Sequence, residues 1–279
     1  MSLADVRYIE DLDEPDRKCL QAVHWLHCLQ AGQIRALIQG EKASTRKRIK
    51  GLVEAGYLQK VMHNNERNQE IPVYVLAELG ALLCNARDLA SACTVPPEPI
   101  IRRWIAANST ILQLHQAVQD SSVKVVNHAA HYNAVPADSG QFKPQLHTTF
   151  ADESFYCDPD VGFLLDDGSK KRVVYVEHAY CNNMDSKNFV TARASAYQEL
   201  SRTQRHKEHF PASTERDFYV LTVLNNRTNL RDVSNLTSGI DRPDLWLFAT
   251  HDYLRDNCIL RKRLFKNHED LWVGLMDDE

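Results

Sequence analysis

Residues 44–61 read STRKRIKGLVEAGYLQKV, and the fold of the amino-terminal part follows from how that string divides. Thr45, Ile49, Leu52 and Val53 recur at helical spacing and mark the inward face of a helix that Ser44 is placed to cap. Gly56 stops that helix. Alternation over 57–63 and again over 70–76 predicts two strands, and the polar run Asn64-Asn65-Glu66-Arg67-Asn68 between them predicts a hairpin tip. Upstream, Cys19, Ala22, Val23, Leu26 and Leu29 define a first helix over 14–29, and Ile34, Leu37 and Ile38 a short second one. A fourth helix over 77–86 closes the unit.

The outward side of the third helix is basic. Arg46, Lys47 and Lys50 lie opposite the apolar positions, with Lys42 and Arg48 flanking them, so positions 42–50 carry five positive charges and no negative one. A cationic helix face suits the phosphates that border a major groove, and Asn64, Asn65, Arg67 and Asn68 at the hairpin tip suit phosphate or minor-groove contact. A run of surface charge is commonly just a solvated face. Here the run combines with a polar tip and the following YVLAELG (residues 74–80), and together they resemble the recognition helix and wing of winged-helix regulators. That resemblance implies double-stranded DNA as the partner, with Lys42, Ser44, Thr45, Arg46, Lys47, Arg48 and Lys50 at the interface. A winged helix used for protein contact is the alternative.

Val95-Pro96-Pro97-Glu98-Pro99 forbids continuous helix. It sets the expected boundary between a unit at 1–94 and a second at 95–279. A long helix over 100–118 opens the second unit. Strands are expected over 123–127, 155–165, 172–177, 217–224 and 245–249, and helices over 186–202 and 229–236, an α/β pattern. Residues 132–153 read as loop-rich.

The most informative stretch of this half is DPDVGFLLDDGSKKRVVYVE, residues 158–177. A two-residue turn at Gly168-Ser169, glycine first, closes an antiparallel hairpin. In that register Asp160 sits across from Glu177, with apolar strands on both sides. Two facing carboxylates repel unless they share a proton, meet a base or hold a divalent cation such as magnesium or manganese. They are inert if they stand at solvent-exposed strand ends.

Asp158-Pro159-Asp160, the apolar strand, the short turn and VVYVE resemble the restriction-endonuclease-like fold. The order of basic helical unit, long helix and this core is similar to the replication-relaxation family of plasmid and mobile-element proteins. The resemblance implies an α+β chain overall, in which a winged helix precedes a mixed-sheet nuclease-like core and Asp160 and Glu177 are metal-binding acids. Arg193 and Tyr197 match positions on the following helix. Active nucleases of this fold carry lysine two residues after the glutamate. Here that residue is Ala179, so Lys187 or Arg193 would have to supply the cation, and the core reads as degenerate. A metal-dependent DNA endonuclease and a protein-interaction module stay open as alternatives.

The remaining features narrow the field. With 43% apolar and 25% charged residues the chain is that of an ordinary globular protein. Its net charge of −4 requires that any nucleic-acid surface be local. Seven scattered cysteines without a CxxC argue for free thiols and a cytoplasmic setting. No glycine-rich phosphate loop or dinucleotide fingerprint appears, so no nucleotide cofactor is expected, and no apolar run suits a membrane. The spacing HxxH recurs at His24 and His27, His128 and His131, and His206 and His209, and packing or surface roles are the default for each. The four tryptophans are expected in cores. A homodimer would suit an inverted-repeat DNA site.

Overall fold

The computed structural model describes residues 12–64, 69–86, 92–119, 121–136, 142–150, 156–179, 186–224, 241–256, 265–267, 272–273 and 275. The chain divides into two compact units, Met1–Leu112 and Gln113–Glu279.

In the first unit, helix α1 (Glu14–Leu26) is capped by Asp13, whose carboxylate accepts the Asp16 amide at 2.8 Å. The apolar spacing that runs on to Leu29 suggests a longer helix, but α1 stops at His27, which takes a φ of 59°. Buried Asn108 captures the backbone there by donating to the Leu26 and Cys28 carbonyls at 2.9 and 2.7 Å. Leu29 then starts strand β1 (Leu29–Gln30), and helix α2 (Ala31–Ile38) follows. Helix α3 (Lys42–Glu54) begins two residues before Ser44, so Ser44 is not its cap; Glu41 holds that position without a side-chain bond. Gly56, at φ 77°, ends the turn as expected.

Strands β2 (Leu58–Asn64) and β3 (Glu70–Leu76) form the antiparallel hairpin, and β1 adds to β3, giving the order β1-β3-β2. Helix α4 (Glu78–Leu83) follows and packs so closely that a side chain at Gly80 would meet the Tyr57 carbonyl at 2.2 Å. Helix α5 (Glu98–Val118) starts after the paired prolines, with Pro99 in its first turn. The boundary between units falls inside α5 rather than at those prolines. Ile101 and Ile105 pack with Cys28, Val73 and Val75, which ties the first half of α5 to the amino-terminal unit.

In the second unit, β4 (Lys124–Ala130) is followed by two small antiparallel pairs. These join β5 (Ala134–Pro136) to β6 (Phe142–Pro144), and β7 (Thr148–Thr149) to β8 (Tyr156–Cys157). They occupy the stretch that sequence leaves as loop. Next come β9 (Val161–Asp166), β10 (Lys171–His178), helix α6 (Ser186–Thr203), short α7 (His206–His209), β11 (Tyr219–Leu224), β12 (Trp246–Thr250) and α8 (His251–Asp256). Strands β13 (Phe265–Asn267) and β14 (Trp272–Val273) complete the sheet. The single strand expected over 155–165 is two, broken at Asp158-Pro159-Asp160, where proline donates no ladder bond. The helix expected over 229–236 lies outside the described residues.

Among the described residues the sheet has seven strands, ordered β14-β13-β12-β11-β10-β9-β4. The pairs β10–β11 and β11–β12 are parallel and the others antiparallel, so the architecture is a mixed-sheet α/β unit. Its core joins Val173 and Tyr175 of β10 to Tyr197 and Leu200 of α6, with Phe218, Trp246 and Phe248. Trp25, by contrast, is 55% exposed and fills no core. No helix among the described residues is long and apolar enough to cross a membrane.

Within this core His209 contacts Tyr175 Oη and Thr148 Oγ1, both at 2.7 Å. Burial pulls its pKa down to about 4. The unfolded chain therefore takes up a proton that the native ring refuses. That contribution to stability is complete above the ordinary histidine pKa and is lost as pH falls from there toward about 4. Lowering the pH from about 7 to about 5 is expected to cost about 2 kcal/mol from His209 alone. Urea midpoints of the wild type and His209→Gln at both pH values check it, the variant showing the shallower dependence.

Candidate functional site

The sequence points to two places, one in each unit. In the first, Thr45, Ile49 and Leu52 are buried and Arg46, Lys47 and Lys50 are exposed, so the third helix presents the charged side the spacing predicts. Lys42 and Ser44 are also exposed. Lys50 makes a solvent-facing pair with Glu54 at 3.5 Å. Arg46 lies close enough to β3 to act on Tyr74, lowering the phenol pKa against the burial that raises it. The helix face and the hairpin are therefore neighbours.

Two candidate DNA contacts are not available. Thr45 is buried, as its place on the inward face requires. Arg48 is committed to Asp13 and Asp16, which both accept from its guanidinium. These bonds hold the Asp13 carboxyl below its usual range and raise the Arg48 pKa. Sequence counts Arg48 with the basic face because the partners lie more than thirty residues upstream, beyond any local pattern. Arg48→Ala is expected to lower stability by about 1 kcal/mol, the scale of a charge-assisted bond shared by two carboxylates. It should leave the salt dependence of any duplex binding unchanged, which thermal melts and a salt titration together would check. Asn64 ends β2, its amide donating to Glu98 Oε1 at 3.0 Å. Asn65, Arg67 and Asn68 lie outside the described residues.

In the second unit the hairpin register is the expected one. Lys171 pairs with Asp166 and Val176 with Val161, around a turn at Gly168-Ser169. Gly168 has φ 94°, the conformation for which a leading glycine is suited. One step beyond the last pair stand Asp160 and Glu177. Both are 1% exposed, so neither stands at a solvated strand end.

They nevertheless turn to different partners. Asp160 Oδ2 accepts the His178 amide at 2.6 Å and lies 3.1 Å from His178 Nδ1. Glu177 Oε1 accepts the Tyr197 hydroxyl at 2.6 Å and has Arg193 Nε at 4.0 Å. Arg193 is fixed in turn over the Tyr156 ring, 5.1 Å from its centroid. Burial and the nearby Glu177 push the Tyr197 phenol well above its usual range, and the Cys157 thiol rises for the same two reasons. Burial works to lower the Arg193 pKa, but Glu177 keeps it raised.

Arg193 therefore stands beside Glu177, as its match on the following helix implies. Lys187 belongs to the first turn of α6, and its side chain is outside the described residues. Ala179 is buried against the same core. The commitment of His178 to Asp160 is not legible in sequence beyond its position next to Glu177. Among the described residues no group of three histidine, cysteine or acidic side chains is arranged to hold a metal ion. Among the described residues Asp160 and Glu177 each serve another group, and no third side-chain ligand stands with them.

The second unit thus belongs to the class of mixed-sheet α/β domains with a buried acidic strand end. No protein-family profile matches the chain, and no curated protein matches it. Among solved structures the chain is similar to the restriction endonuclease FokI bound to DNA, at 15% identity and a TM-score of 0.28. The match covers 86% of this chain, which spans 43% of that one.

Proposed function

We propose that the amino-terminal unit is a winged helix that binds double-stranded DNA, with α3 set against the duplex and the β2–β3 hairpin beside it. The observation that carries this reading is the exposure of Arg46, Lys47 and Lys50 together on α3, opposite buried Thr45, Ile49 and Leu52. The element order α1-β1-α2-α3-β2-β3 and the nearness of Arg46 to Tyr74 support it. A role in DNA control of the replication-relaxation kind, in a plasmid or mobile element, rests on the motifs at 44–61 and 158–177. In the test, a labelled duplex is titrated across a range of salt concentrations. Lys47→Ala with Lys50→Ala is expected to weaken binding more than tenfold and to reduce the salt slope by about 2. Unchanged affinity and slope would mean that α3 serves protein contact instead.

For the second unit we favour a restriction-endonuclease-like core that no longer cleaves. Ala179 in place of lysine, and the separate partners taken by Asp160 and Glu177, support this over a metal-dependent endonuclease. Supercoiled plasmid incubated with manganese is expected to stay intact. Nicking that disappears in a folded Glu177→Gln variant would restore the enzyme reading.

A further inference from the structure

Among the described residues, two histidines that approach each other do not belong to one HxxH pair. His131 sits past the end of β4 and lies 3.3 Å from the Asp160 carbonyl. His115, in the last turn of α5, instead approaches His128 on β4, with Nε2 and Nδ1 3.4 Å apart. The rings stand edge to face, with centroids separated by 5.1 Å. Both side chains are half-buried, within reach of solvent.

Those two distances fit a shared ligand. Two imidazole nitrogens bound to one tetrahedral ion at about 2.05 Å lie about 3.35 Å apart, and their ring centroids about 5.2 Å apart. A straight N–H···N hydrogen bond of the observed length would instead set the centroids at about 5.7 Å. The shorter centroid separation shows that the contact is bent rather than straight. We propose that His115 and His128 form a two-histidine clip for a borderline divalent cation such as zinc, with water completing the coordination. Imidazole is a preferred donor for such ions.

Neutral rings are a condition of binding. Burial, and then the neighbouring His115, hold the His128 pKa down to about 4, and burial also lowers that of His115. The clip therefore stands deprotonated near neutral pH.

Calorimetric titration of the full, untagged chain with zinc provides the test. One equivalent is expected to bind in the micromolar range. His115→Gln and His128→Gln should each weaken that binding at least tenfold, with unchanged far-ultraviolet circular dichroism. His24→Gln, in the amino-terminal unit, should bind as the wild type does. Zinc affinity that survives His115→Gln, or an absence of zinc binding by the wild-type chain, would overturn the assignment. Because His115→Gln alters a half-exposed helix position, the test does not depend on His128→Gln folding.

Discussion

Replacing Arg46, Lys47 and Lys50 together by glutamate is expected to abolish measurable duplex binding while leaving the chain folded. The three side chains are exposed, and Lys50 pairs with Glu54 at the surface, so the change removes no core contact. Each cation that neutralises a phosphate contributes a salt slope of about 0.9. At 0.1 M salt, loss of three such contacts corresponds to a fall of roughly two to three orders of magnitude in affinity. Repulsion from three introduced carboxylates deepens that loss. Anisotropy with a labelled duplex measures the effect, and a melt beside it verifies the fold. A variant that binds within threefold of the wild type would place the DNA surface elsewhere.

Glu177→Ala is expected to be the most damaging single substitution in the second unit. Its carboxylate accepts from Tyr197 and faces Arg193, whose side chain is only 17% exposed. Truncation leaves a buried hydroxyl without its acceptor and removes an acid beside a largely buried guanidinium. Breaking a pair in this way costs about 3 kcal/mol or more. Glu177→Gln keeps an acceptor for Tyr197 and should lose less. Urea unfolding with an unchanged denaturant slope would check both values. A rise in stability for Glu177→Ala would carry the opposite meaning. It would mark the acid as held against its own electrostatic cost, as functional groups often are.

The sequence discloses most of what depends on neighbouring residues. Spacing within a helix finds the inward Thr45, Ile49 and Leu52, and one glycine-led turn fixes the whole β9–β10 register down to its last pair. Contacts between distant segments are what it misses. The partners of Arg48 are acids at the start of α1, and α1 ends where Asn108, about eighty residues later, captures its carbonyls. The same holds for the acidic strand end. Register brings Asp160 level with Glu177, but the Asp160 side chain turns to His178, and no pairing rule anticipates that. His115 and His128 are separated by a helix end and a turn, so no motif spacing would join them.

The short turn at Gly168-Ser169 also bears on how the protein reaches its native state. A hairpin closed by two residues can assemble within about 1–10 μs, well before parallel neighbours that depend on long crossovers. Asp160 and Glu177 are thus drawn together early, while Tyr197 and Arg193 are still remote along the chain. Until α6 docks, water must shield that repulsion. The nascent hairpin is therefore least stable at its open end, and docking of α6 brings Tyr197 and Arg193 to Glu177.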